Sequence, residues 1–181
     1  MTSQSALPAY ADLEPSAVWR FFAAISEVPR PSKKEERIRA AVRRMAEERK
    51  LPVREDAAGN LVIEAPATPG REKAPVVVLQ GHLDMVCEKN RTTEHDFDRD
   101  PIRLAVDRDA TEGRVIVRAE GTTLGADNGI GVALALAAAT SRDVVHGPLE
   151  VLCTVDEEMG MGGAKALTPD FLRGRLLLNL D

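Results

Sequence analysis

Aromatic side chains are scarce: four Phe, one Trp and one Tyr in 181 residues. So few rings leave little for stacking on nucleic-acid bases, and core volume must come from Leu, Val, Ala and Ile. A basic excess is also lacking. The 24 Lys and Arg against 29 Asp and Glu give a formal charge of -5, which argues against the basic surface that phosphate contacts need. No nucleic-acid partner is expected. No apolar run approaches the roughly 20 residues that span a bilayer. The longest, 130–139, is interrupted by Gly131, so no membrane partner is expected either. The first residues, MTSQSALPAYADLEP, lack the basic and apolar regions of a secretory signal. Cysteine is limited to Cys87 and Cys153, outside any C-x-x-C pair. No disulfide framework is expected, and a reducing, cytoplasmic setting follows.

What is present reads as one globular α/β unit. Apolar residues make up 44% of the chain and charged residues 29%, ordinary values for a protein with a sizeable core. The first ten residues read as a loose tail. Val18, Phe21, Phe22 and Ile25 recur at helical spacing and predict a helix over about 15–27. PRPS at 29–32 stops it. Ser32 followed by Glu35 reads as a capping box for a second helix to about residue 50, with Ile38, Val42 and Met45 as its buried stripe. The period then changes. Strands are expected at 53–56 and 61–64 around a Gly59-Asn60 turn, and at 76–79, where VVVL suits a strand buried on both faces. A hairpin is expected from 103–106 and 114–117, a long helix over 128–140 and a buried strand over 149–155. A short helix over 163–167 and a last strand over 176–180 complete the series. Alternating strands and helices predict a mixed, mostly parallel sheet with helices on both faces. The chain stops at Asp181, directly after LLLNL. A strand with two covered faces ordinarily leads into further structure, so the sequence reads as interrupted there.

Three segments carry polar residues where such a sheet places its sites, at the carboxyl ends of buried strands. His82 and Asp84 follow VVVLQG. Period two puts both on one side of an extended backbone, where a carboxylate can orient an imidazole and raise its basicity. Taken alone, the pair is more often a satisfied histidine beside a turn-forming Asp. In TTLGADNGIG, 122–131, capping by Asp127 or Asn128 explains one residue, but not three neighbouring glycines. Neither this loop nor MGMGGA at 159–164 matches a dinucleotide or phosphate loop. Asp156-Glu157-Glu158 follows LEVLCTV and reads either as a solvated strand end or as ligands; Asp181 repeats the arrangement after LLLNL. Imidazole and carboxylates together suit zinc, with manganese or cobalt as alternatives, and a bridging carboxylate suits two ions. There is no H-E-x-x-H and no G-x-S-x-G. Cys87 reads as a small core residue rather than a nucleophile, and His95 and His146 as surface histidines.

Together GHLDMVCEKN, TTLGADNGIG, TVDEEMGMGGA and LLNLD resemble the Xaa-His dipeptidase family (aminoacyl-histidine dipeptidase, cytosol non-specific dipeptidase). These are two-metal peptidases related to aminoacylases and succinyl-diaminopimelate desuccinylases. His-x-Asp is common to the wider group, whereas DMVCEKN and GADNGIG are more specific to the dipeptidases. The resemblance implies a two-metal aminopeptidase-like catalytic domain. It makes His82 and Asp181 ligands of one metal, Asp127 the bridging carboxylate and Glu158 a ligand of the second metal. It makes Asp84 the residue that orients His82, and Glu157 the general base. It also implies a cis peptide at Asp127-Asn128. The implied activity is hydrolysis of Xaa-His and other small unblocked dipeptides in the cytoplasm. An N-acyl-amino-acid deacylase on the same scaffold and a non-catalytic metal-binding fragment are the alternatives.

Family members are far longer. They carry a second, lid-like domain used for homodimerisation and a C-terminal return that supplies the last ligating histidine. Residues 1–181 are therefore expected to be the N-terminal part of the catalytic domain, without lid or return. By ligand count this chain should hold about one metal ion.

Overall fold

The computed structural model describes residue 10 and residues 12–109, 111 and 113–181. The loose tail expected at the start therefore lies, but for Tyr10, outside the described residues. The chain runs α1 (Ser16–Ser26), α2 (Glu36–Glu47), β1 (Val53–Glu55), β2 (Leu61–Ala65), β3 (Val77–His82), β4 (Leu104–Asp109), β5 (Arg114–Ala119), α3 (Ala126–Thr140), β6 (Leu149–Thr154), α4 (Gly162–Ala166) and β7 (Leu176–Asn179). No helix among the described residues is long and apolar enough to cross a membrane.

One five-stranded sheet, ordered β1-β2-β6-β3-β7, forms the frame, and β4-β5 form a separate two-stranded hairpin. The sheet is mixed as the sequence suggests, but its parallel share is smaller than expected. β1 pairs antiparallel with β2, and β2 with β6, whereas β6, β3 and β7 run parallel. The short turn at Gly59 (φ 97°) forces β1 and β2 antiparallel. The parallel strands are joined by crossovers that contain α3 and α4.

Strand alternation sorts the two faces. Leu61, Ile63, Leu79, Val151 and Cys153 point to one side, where they meet Val18, Phe22 and Ile25 of α1, Ile38 and Val42 of α2 and Leu136 of α3. The buried stripes of α1 and α2 are those expected, except that Met45 is only half-buried. α3 is apolar nearly all round, and most of its alanines are buried in the same core cluster as Phe22 of α1. Val62, Val78 and Leu152 point to the other side and are covered by Leu167, Phe171 and Leu172, which follow α4. That cover is pinned by Arg54. Its Nε lies 2.7 Å from Glu64, its Nη2 3.0 Å from the buried Glu150, and its Nη1 donates to the Phe171 carbonyl at 2.7 Å.

Two local expectations are corrected. Ser32 does not cap α2: its hydroxyl donates to Asp84 Oδ2 at 2.7 Å, because a buried carboxylate has no water to turn to whereas the first turn of a surface helix does. Glu35 stands at the cap position without capping and accepts instead from the Lys33 and Asp156 N–H groups at 3.0 and 2.9 Å. β7 is not covered on two faces. Leu176, Leu177 and Leu178 are each half-exposed, since β7 is the sheet edge and no described element lies over it.

Candidate metal centre

The parallel register brings the expected residues together. His82 pairs with Thr154, and Gln80 with Asn179, so β3, β6 and β7 end at one edge of the sheet. The residues that leave those ends are His82 and Asp84, Glu157 and Glu158, and Asp181. The amino end of α3 opens at the same edge and adds Asp127.

His82 is fully buried. Its Nδ1 lies 3.3 Å from Asp84 Oδ1, and its Nε2 faces Asp127 Oδ1 at 2.9 Å, Asp181 Oδ1 at 3.6 Å and Glu157 Oε2 at 3.9 Å. One ligand atom each from His82, Asp127 and Glu158 fall within 4.8 Å of one another. Three carboxylates around one imidazole nitrogen, with Asp127 open to solvent (74% of its side chain exposed), form a donor set that fits a divalent cation.

Asp84 does more than face the histidine. Also fully buried, it accepts from the Ser32 hydroxyl and from the backbone N–H groups of Glu157 and Glu158, at 3.0 and 3.1 Å. Burial pushes its carboxyl up, but the bonds from His82, Ser32 and the two N–H groups prevail and hold it well below the usual carboxylate range. One carboxylate thus ties the strand end that carries His82 to the turn that carries both glutamates.

Asn128 performs a similar office on the other flank. The peptide bond at Asp127-Asn128 is cis, as the resemblance implies. Neither residue caps the helix by side chain; Gly125 occupies the cap position with φ 68°. Asn128 turns inward, accepts from the His82 N–H at 3.2 Å, and donates to the Leu180 carbonyl and Asp181 Oδ1 at 3.0 Å each. β3, α3 and the end of β7 therefore meet on one amide. Gly131 is required beside it: a Cβ there would stand 2.6 Å from Asn128 Oδ1 and 2.7 Å from the Leu180 carbonyl.

Sequence reasoning missed Arg30, Ser32, Glu35, Asn60 and the inward role of Asn128. By sequence Asn60 is only a turn residue. It is buried, donates to Asp56 and to the Gly163 carbonyl at 2.7 and 2.9 Å, and accepts from the Val155 N–H at 3.2 Å, steadying the exit of β6. The unexplained glycines around 125–131 were the available signal that large side chains approach that loop. His95 and His146 stay in their own loops, both half-buried rather than on the surface. His95 stacks edge-on against Phe97 at 4.5 Å, and His146 Nδ1 meets the Gly147 carbonyl at 2.7 Å. Cys153 is buried in the core, its thiol pushed up to about 12 by burial; Cys87 is half-buried beside the Met85 carbonyl.

Electrostatically, the cluster raises His82, Glu158 and Asp181 above their ordinary values. Burial works against the His82 cation, but its bonds to Asp84 and Asp127 outweigh burial and raise its pKa to about 9. Burial and then the Asp127 charge push Glu158 up, and burial, with Asp127 adding to it, pushes Asp181 up. A cation at His82 must displace that proton, so affinity should rise with pH and level off above about 9. Calorimetric titration of a divalent metal at about pH 7.5, in buffers of different ionisation enthalpy, should report roughly one proton released per ion. Heats independent of the buffer would contradict it.

Comparison with known proteins gives these residues a context. The chain is 47% identical over 169 residues to the cytosol non-specific dipeptidase of Escherichia coli (strain K12), a match that covers 93% of this chain and 34% of that protein. It superposes on the aminoacylhistidine dipeptidase of Vibrio alginolyticus with a TM-score of 0.89 and 47% identity, covering 96% of this chain and 34% of that one. A tripeptidase of Staphylococcus aureus shares the fold at a TM-score of 0.71 and 21% identity, with 91% of this chain and 43% of that chain covered. The chain thus spans about a third of the length of the two dipeptidases. Residues 78–178, which include His82, Asp84, Asp127, Glu157 and Glu158, match the model of peptidase family M20/M25/M40, and over half its length the chain belongs to that family.

Proposed function

We propose that residues 1–181 are the N-terminal part of the catalytic domain of a metal-dependent dipeptidase that cleaves Xaa-His and other small unblocked dipeptides. The observation that carries the reading is the meeting of His82, Asp127 and Glu158 ligand atoms within 4.8 Å at the ends of the parallel strands. In this reading the lid-like and dimer-forming parts, and the return that completes the site, lie outside these residues. A cytoplasmic setting is supported by the name of the E. coli relative. The deacylase alternative is not favoured, because the two relatives at 47% identity are both named dipeptidases.

In the proposed assignment His82 and Asp181 would hold one cation and Glu158 a second, with Asp127 shared between the two. Bound there, two divalent ions (zinc, or manganese or cobalt) would polarise the scissile carbonyl and make water a nucleophile at neutral pH. Glu157 takes the proton of the attacking water and returns it to the leaving amine. Asp84 keeps the His82 ring turned so that Nε2 faces the cluster, and its bonds to the Glu157 and Glu158 N–H groups hold base and ligand in fixed relation.

The ligand count makes this testable. The first site has three protein ligands in the proposed set and the second only two, whereas catalytic zinc sites usually have three with one open position. The 181-residue chain should bind about one zinc and hydrolyse dipeptides negligibly, and a protein of the relatives' full length should be active. Metal titration with a ninhydrin assay on dipeptides and N-acyl amino acids checks this. Robust turnover by the 181-residue chain with two metals bound would contradict the assignment, and turnover of acyl amino acids alone would favour the deacylase.

A further inference from the structure

We propose that Arg30 is a positioning residue of the metal centre, a buried strut that sets the separation of His82 from Asp127; the proposal rests on the metal-site reading above. Arg30 is 2% exposed, and it lies between two prolines in a segment that the sequence shows only as a helix stop. Its Nη1 donates to the Leu83 and Asp84 carbonyls at 2.9 Å each, and its Nη2 donates to the Gly125 carbonyl. The first two carbonyls belong to the residues just after His82. The third lies two residues ahead of Asp127. One planar guanidinium therefore spans the two loops that present these ligands.

The strut is anchored and given room. The Arg30 carbonyl accepts from the Met85 N–H at 3.2 Å, and Pro31 bridges to Met85, so its backbone is fixed to the loop that follows β3. Two glycines make the space. A Cβ on Gly129 would stand 2.8 Å from Arg30 Nη2 and 3.2 Å from the Phe22 ring, and one on Gly125 would stand 2.8 Å from Met85 Sδ. Arg30 Nε finds no partner among the described residues. A buried cation with an unmet donor is a costly way to fill space, and an apolar side chain of similar volume would do that more cheaply. An apolar side chain could not hold three carbonyls of two loops, and neither could an ammonium on a flexible stem, since only the guanidinium offers a rigid fork. This separates the proposal from a plain charge effect, which lysine would preserve.

The test uses zinc affinity of the 181-residue chain, measured by competition with a chromophoric chelator well below the melting temperature, beside thermal melts of the metal-free proteins. Arg30→Lys keeps the charge and should weaken zinc binding about 10- to 100-fold, the range seen when the partners that orient metal ligands are removed. Gly129→Ala keeps Arg30 but displaces its fork, and should weaken binding in the same direction; it carries the test if Arg30→Lys does not fold. Binding within about twofold of the parent in the folded variants, with only the melting temperature lowered, would make Arg30 a packing residue and overturn the proposal. A parent chain that binds no zinc would overturn the metal-site reading and this inference with it.

Discussion

Glu157→Ala, made in a protein of the relatives' full length, should lower dipeptide turnover by about 10²- to 10⁴-fold, the usual worth of a general base, and leave metal content unchanged. The proposed assignment gives the two adjacent glutamates different roles. Glu158 has a ligand atom within 4.8 Å of those of His82 and Asp127, and Glu157 stands 3.9 Å from His82 Nε2. Asp84 holds both backbones by separate N–H groups, so their side chains leave the turn from fixed points. The checks are steady-state kinetics on a dipeptide and metal analysis of the purified variant. If Glu157→Ala lost metal and Glu158→Ala kept it, the two roles would have to be exchanged.

Asp84→Ala should be the most damaging single change to stability. It would leave the Ser32 hydroxyl, two backbone N–H groups and the His82 ring without their acceptor in a fully buried place. Removing one member of a buried charged pair costs roughly 3–5 kcal/mol, and for a domain of this size that lowers the melting temperature by roughly 10 °C. Asp84→Asn should be no milder for metal binding. It keeps the shape, but its amide nitrogen would turn a donor towards groups that are themselves donors. Thermal melts of the metal-free chain and zinc titration would check both. A melting temperature within a degree or two of the parent would mean that water replaces Asp84 freely.

What the sequence made legible was what local pattern determines. The stripe Val18, Phe21, Phe22, Ile25 is the buried face of α1, and the apolar runs before His82 and Asp156 are β3 and β6. Because each run ends in chemistry-bearing residues, the strand ends pointed to the site before the pairing was known. Long-range demand was not legible. Ser32 has the spacing of a cap, but Asp84, 52 residues on, claims its hydroxyl. Arg30 looks like any residue between prolines until its three carbonyl partners are folded around it. The antiparallel half of the sheet comes from β2 choosing β6 as a neighbour, a choice no window of sequence contains. The exposure of β7 depends on what lies beside the strand rather than on the strand itself.

The position of β7 has a consequence in time. Leu79 pairs with Leu178 across 99 residues of chain, and the Asn128 amide reaches Asp181 only once that pairing exists. Contacts so distant along the chain form slowly, so the corner of the site that Asp181 supplies closes late. In the proposed assignment, an ion held between His82 and Asp181 would belong to that late step. It would then act as a brake on unfolding, with little effect on the speed of folding, because stabilisation gained after the transition state appears in the unfolding rate.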